Sequence, residues 1–108
     1  MLMITEQGDE RSLTFKLAGK LAGEWTPELE RCWRGVATRK PLLPVQIDLS
    51  EVTFVSETGK RLLAVMARAG VELIAADILM KALVEQIAQG HSFEEDIHSE
   101  RPNNEQND

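Results

Sequence analysis

The chain has 108 residues, 43% of them apolar and 5% aromatic, which suits one small domain built round a single core. No apolar run approaches the ~20 residues of a membrane span, and no basic segment precedes an apolar stretch at the start, so the expectation is a cytoplasmic protein with no direct membrane insertion. Six acids against one base from Glu94 onward hold −5 of the −6 net charge, leaving the first 93 residues at −1, and a body so nearly neutral lacks the basic face that nucleic acid requires.

Residues 1–90 are therefore read as one domain and 91–108 as an acidic tail too poor in apolar residues to order itself. Met3 to Gln7 and Ser12 to Ala18 are expected to be two strands joined at Gly8-Asp9. In the second, Leu13, Phe15 and Leu17 alternate with Thr14 and Lys16, the period of a half-buried strand. A helix should follow Gly23, with Thr26 as its cap and Pro27 in its first position. Trp25, Leu29, Cys32, Trp33 and Val36 then form one apolar stripe. The lone Cys32 on that stripe excludes an internal disulfide and reads as a core thiol, and the two tryptophans read as core rather than as a base-stacking platform.

Val45, Ile47 and Leu49 alternate with Gln46 and Asp48 in a third strand. A second helix should run from Ser56 to about Ala69, with Leu62, Leu63, Val65, Met66 and Ala69 inward, and end at Gly70. Val71 to Ala75 reads as a fourth strand buried on both sides. Asp77 is placed to cap a third helix carrying Ile78, Leu79, Ala82, Leu83 and Ile87 inward and closing at Gly90. The order β-β-α-β-α-β-α predicts an α/β sandwich with helices on a mixed sheet.

The most informative segment is the turn from the third strand into the second helix, Ser56-Glu57-Thr58-Gly59-Lys60-Arg61. A helix start exposes free backbone N–H groups and a partial positive charge. Glu57 sits just inside it and precedes Arg61 by four residues, a spacing that favours an ion pair. Catalytic signatures are absent: there is no Walker spacing around Gly19-Lys20-Leu21-Ala22-Gly23, no Ser-x-x-Lys, no Gly-x-Ser-x-Gly and no carboxylate dyad. His91 and His98, seven apart among tail acids, read as tail polarity rather than a metal clasp. No cofactor, metal or enzymatic activity is expected.

Together these residues resemble the STAS domain of anti-sigma-factor antagonists. The run Val45-Gln46-Ile47-Asp48-Leu49-Ser50-Glu51-Val52-Thr53-Phe54-Val55, closed by Gly59, looks like the family's signature strand and loop. Gly19-Lys20-Leu21 resembles its Gly-x-Leu before the first helix. The spacing to Gly70-Val71-Glu72-Leu73 and the helix after Ala75-Ala76-Asp77 also match. The resemblance implies a STAS-like (SpoIIAA-like) α/β sandwich, with about four strands and three to four helices.

The family's loop reads Asp-Ser-Ser-Gly-Leu, and its first Ser is phosphorylated by a partner kinase. On this chain those positions hold Ser56, Glu57, Thr58, Gly59 and Lys60, so Glu57 stands at the phospho-acceptor position. A carboxylate imitates phosphoserine imperfectly and permanently, with less charge and two acceptor oxygens in place of three. Helix chemistry alone accounts for Glu57 as a first-turn acid, and that structural reading outweighs the phosphomimic one. The resemblance implies a non-catalytic protein-interaction module in bacterial partner switching and transcription regulation, docking through Ser56, Glu57, Thr58, Gly59, Lys60 and Arg61 on a GHKL-type anti-sigma serine kinase. The alternative is a STAS subunit that steadies the ATPase of a lipid-trafficking ABC transporter. Weak pairing with a second copy of the chain is the remaining partner considered.

Overall fold

The computed structural model describes residues 1–88, in which two strands and a helix open the fold and two βα steps complete it. The elements are β1 (Leu2–Gly8), β2 (Leu13–Leu21), α1 (Trp25–Arg39), β3 (Val45–Val55), α2 (Glu57–Arg68), β4 (Glu72–Ile74) and α3 (Ile78–Ala88). Their order is the expected one, and the sheet is mixed: β1 pairs antiparallel with β2, and β2, β3 and β4 run parallel in the order β1-β2-β3-β4. Gly90, the expected end of α3, and the acidic tail with His91 and His98 lie outside the described residues.

The alternation in β2 buries Leu13, Phe15 and Leu17, and the same face of β3 contributes Val45, Ile47 and Leu49. Leu29, Trp33 and Val36 from α1, Leu62, Leu63 and Met66 from α2, and Leu83 and Ile87 from α3 complete one continuous core. Trp33 is buried and Trp25 packs at the core margin; the Arg34 guanidinium lies 5.3 Å from the Trp33 ring centroid. The opposite sheet face is polar and carries a short ladder. Thr14 Oγ1 donates to Gln46 Oε1 at 2.9 Å, and Gln46 Nε2 donates to Glu72 Oε1 at 3.0 Å.

The third strand is longer than its alternation suggests. After Leu49 the buried positions are Val52 and Val55, a spacing of three rather than two. The pairing explains it: Lys16 and Ala18 face Asp48 and Glu51, and Gly19 and Lys20 face Val52 and Phe54, so β3 carries an extra residue at each of two register shifts. The first shift is braced by Asp48, whose Oδ1 accepts from Ser50 N–H at 2.9 Å and Ser50 Oγ at 2.6 Å. At the second, Thr53 Oγ1 donates to the Gly19 carbonyl at 3.2 Å. These insertions turn Val52 and Val55 back to the core and aim the following turn.

Several expectations are corrected. β4 is a three-residue edge strand with Glu72 exposed and Leu73 and Ile74 half-buried, so it is not covered on both faces. Thr26 does not cap α1, because the helix already includes Trp25; its buried hydroxyl has no hydrogen-bond partner among the described residues. In α2, Ala64 is buried while Ala69 is exposed just past the helix end, where Gly70 takes φ +100°. In α3, Ile78, Leu79 and Ala82 face solvent. The inward stripe is Met80, Leu83, Val84 and Ile87, and the first two residues of the helix fall outside it.

Candidate functional site

Ser56 leaves β3 in extended conformation (φ −74°, ψ 172°), as an N-cap must, and its Oγ accepts the Gly59 N–H at 3.1 Å. The Ser56 N–H donates to the Leu21 carbonyl at 2.9 Å, tying the turn to the end of β2. The Lys60 N–H donates to the Ser56 carbonyl at 2.8 Å, closing the first turn of α2. Thr58 Oγ1 shares a hydrogen bond with Ser56 Oγ at 3.0 Å. The turn is thus fixed by four hydrogen bonds, and it holds Glu57 at the first helical position.

Gly59 faces inward. A Cβ there would stand 2.8 Å from the Leu21 carbonyl oxygen, 3.0 Å from Val55 Cγ1 and 3.1 Å from Leu21 Cγ. The glycine is required by the close approach of α2 to the ends of β2 and β3, and it contributes fit rather than contact surface. Glu57, by contrast, is 66% exposed in its side chain. The carboxylate at the N-terminus of a helix is stabilised there by the dipole.

The sequence spacing pointed to an ion pair with Arg61, but the partner is Lys60, whose Nζ lies 3.1 Å from Glu57 Oε2. Arg61 is half-buried, and its Nε is buried with no hydrogen-bond partner among the described residues. Drawn into the body, it leaves the three-residue spacing to supply the cation. Ser56, Glu57, Thr58 and Lys60 therefore share one exposed or half-exposed turn, with Gly59 beneath it and Arg61 at its inner side.

Apolar residues beside this turn extend the surface. Val55, Lys60, Leu79, Met80, Leu83 and Gln86 are among the residues that line a cavity of about 250 Å³ between the start of α2 and α3. A wider groove of about 700 Å³ runs between Ser50–Thr53 of β3 and Ala76–Met80. Phe54 is 50% exposed, Ile78 83% and Leu79 80%. These three were hidden from sequence reasoning, which assigned Ile78 and Leu79 to the core; the regular stripe from Met80 onward was the signal that could have excluded them.

Other titratable groups do not assemble chemistry. The Cys32 thiol is pushed up by burial and by the nearby charges of Glu28 and Glu6, which disfavours the nucleophilic thiolate. Asp48 is held below its ordinary value by the hydrogen bonds of Ser50, with Lys16 assisting. Among the described residues no three His, Cys, Asp or Glu side chains stand close enough to hold a metal ion. No helix among them is long and apolar enough to cross a membrane.

No protein-family model matches the chain, and no curated protein matches it. A solved structure does: an uncharacterised protein of the DUF3478 family with a SpoIIAA-like fold, from Shewanella loihica PV-4. It superposes with a TM-score of 0.55 at 19% sequence identity, over 84% of this chain and 79% of that one. The fold is the SpoIIAA-like, or STAS, fold: a mixed four-stranded sheet with three helices among the described residues.

Proposed function

We propose that this chain is a non-catalytic protein-binding module of the anti-sigma-antagonist kind, in which the β3–α2 turn presents a permanent negative charge where relatives in that group carry a switchable one. The observation that carries this reading is the placement of Glu57: exposed, at the first position of a capped helix, one residue after Ser56. A partner docking there would meet Glu57 and Lys60 on one side and the exposed Leu79 on the other. In partner switching the unphosphorylated antagonist binds its kinase and the phosphorylated one lets go. A fixed carboxylate then holds this chain in the releasing state toward a GHKL-type serine kinase, or suits a partner whose site accepts the charge.

A second reading is favoured by the missing acceptor hydroxyl at position 57: a constitutive subunit that steadies the ATPase of a lipid-trafficking ABC transporter, where no switch is needed. Affinity capture with wild-type, Glu57→Ser and Glu57→Arg baits separates the two. Enrichment of a GHKL-type kinase by the Glu57→Ser bait above wild type supports the first reading. Equal recovery of an ABC ATPase by the wild-type and Glu57→Ser baits supports the second. Partner sets identical across all three baits would remove the turn from the docking surface.

A further inference from the structure

The two edges of the sheet are unequal. β4 is three residues long with Glu72 exposed, which leaves an approaching strand little to pair with. β1 runs seven residues in unbroken register with β2, and it carries no proline, no lysine, no bulge and a single charge, Glu6. The Lys20 N–H donates to the Met1 carbonyl at 3.1 Å, and at the turn the Asp9 N–H donates to the Ser12 carbonyl at 3.0 Å. These bonds fix the phase of the ladder. Met3, Thr5 and Gln7 exchange hydrogen bonds with β2, so the N–H and C=O groups of Leu2, Ile4 and Glu6 point off the sheet. β2 is the one strand that pairs with β1 among the described residues.

Side chains along this edge alternate between the two faces. Ile4 is half-buried against the core, and Met3 is 60% exposed on the opposite face. Glu6 lies on the α1 side, close enough for its charge to act on the Cys32 thiol together with that of Glu28. At the end of the strand Glu6 shares a cavity with Asp9, Glu10, Arg39 and Lys40. The bases there offset part of the acidic charge, and Glu6 is the one carboxylate on the strand itself.

We propose that β1 pairs antiparallel with β1 of a second copy of this chain, about a twofold axis at Ile4, joining the two sheets edge to edge. In that register Ile4 faces Ile4 of the second copy, Leu2 faces Glu6, and Met3 faces Thr5. The outward groups of Leu2, Ile4 and Glu6 then exchange about six hydrogen bonds with the second copy. Charge and length select this register. It keeps the two Glu6 side chains about 14 Å apart, beyond the ~10 Å screening length of 0.1 M salt. An axis at Thr5 brings them to about 8 Å, one at Glu6 sets them directly opposite, and one nearer Leu2 shortens the ladder. A strand edge of ~24 Å falls short of the ~1,200 Å² that stable interfaces bury, so the pairing is weak and reversible. It is independent of the docking role proposed for the β3–α2 turn, from which β2 separates it.

The test is sedimentation velocity of the full chain from about 5 to 500 μM, where a concentration-dependent shift from one copy to two is expected. Glu6→Pro deletes an N–H that points off the sheet and no bond to β2, so it should weaken association at least tenfold with the circular dichroism retained. Glu6→Gln should stay within twofold of wild type. Cysteine trapping reads the register even where the proline variant fails to fold. In a Cys32→Ala background, Ile4→Cys should form disulfide dimers in at least tenfold higher yield than Thr5→Cys, since facing Cα atoms of such a pair stand about 5.5 Å apart. A monomer at every concentration overturns the proposal, and so does a dimer that a folded Glu6→Pro protein leaves intact. Equal trapping at Ile4 and Thr5 overturns it as well. Ile4 and Glu6 amides equally protected from exchange at all concentrations overturn it in favour of an edge covered by the chain itself.

Discussion

Replacing Gly59 by alanine tests whether the β3–α2 turn is held as tightly as its contacts imply. The new methyl would sit 2.8 Å from the Leu21 carbonyl oxygen, with Val55 Cγ1 and Leu21 Cγ at 3.0 and 3.1 Å. The carbonyl cannot retreat freely, because it accepts the Ser56 N–H at 2.9 Å. Overpacking of this kind costs about 1–3 kcal/mol, and weakening that hydrogen bond adds about 0.5–1.5 kcal/mol. Against this stands the helical preference of Ala over Gly, about 1 kcal/mol. The net is a destabilisation of about 0.5–3.5 kcal/mol, which at about 4–8 °C per kcal/mol lowers the melting temperature by roughly 2–28 °C.

Gly35 in α1 provides the control, since a Cβ there meets nothing within 4 Å. Gly35→Ala should gain about 0.5–1 kcal/mol from helix propensity alone. Thermal unfolding followed by circular dichroism therefore moves in opposite directions for the two variants. A Gly59→Ala protein as stable as wild type, or stabilised like Gly35→Ala, would show that the turn has room to relax and that its fixed geometry is misread.

Ser56→Ala removes the cap on the Gly59 N–H and should cost about 1 kcal/mol, seen as a urea midpoint lower by roughly 0.5–1 M. Asp48 has a depressed pKa, so its contribution to stability is present above the unfolded value of 3.8 and is lost as pH falls through the lower folded value. Urea unfolding between pH 5 and 2 should show that loss, and Asp48→Asn should flatten the acid limb. For Cys32, whose thiol is raised by burial, alkylation at pH 8 should be several-fold slower than that of free cysteine; an equal or faster rate would contradict its placement at the core margin.

Much of the fold was legible because local pattern and tertiary position agree in β2, α1 and α2. The Leu13, Phe15, Leu17 alternation and the Leu29, Trp33, Val36 stripe are buried where their periods place them. The bulged half of β3 was not legible, since two inserted residues break the two-residue period and only the partner strand reveals them. The end of α3 nearest β4 misled for a related reason: apolar residues at Ile78 and Leu79 look like core until the inward stripe is counted from Met80. At the site, the capped turn and the exposed Glu57 could be read from Ser56 and the acid that follows it. The choice of Lys60 over Arg61 as its ion-pair partner could not, because it depends on how far the arginine is drawn into the body.

The most direct test of the account is an equilibrium binding titration of a partner recovered with this chain against the wild type, Glu57→Ser and Glu57→Arg. A charged group hydrogen-bonded across an interface contributes about 1.5–3 kcal/mol, or roughly 10- to 150-fold in Kd at 1.4 kcal/mol per tenfold. The account predicts that a GHKL-type kinase binds Glu57→Ser tighter than wild type by a factor in that range, and that a partner suited to the carboxylate loses affinity to both variants by a similar factor. Dissociation constants within twofold across the three proteins would contradict it.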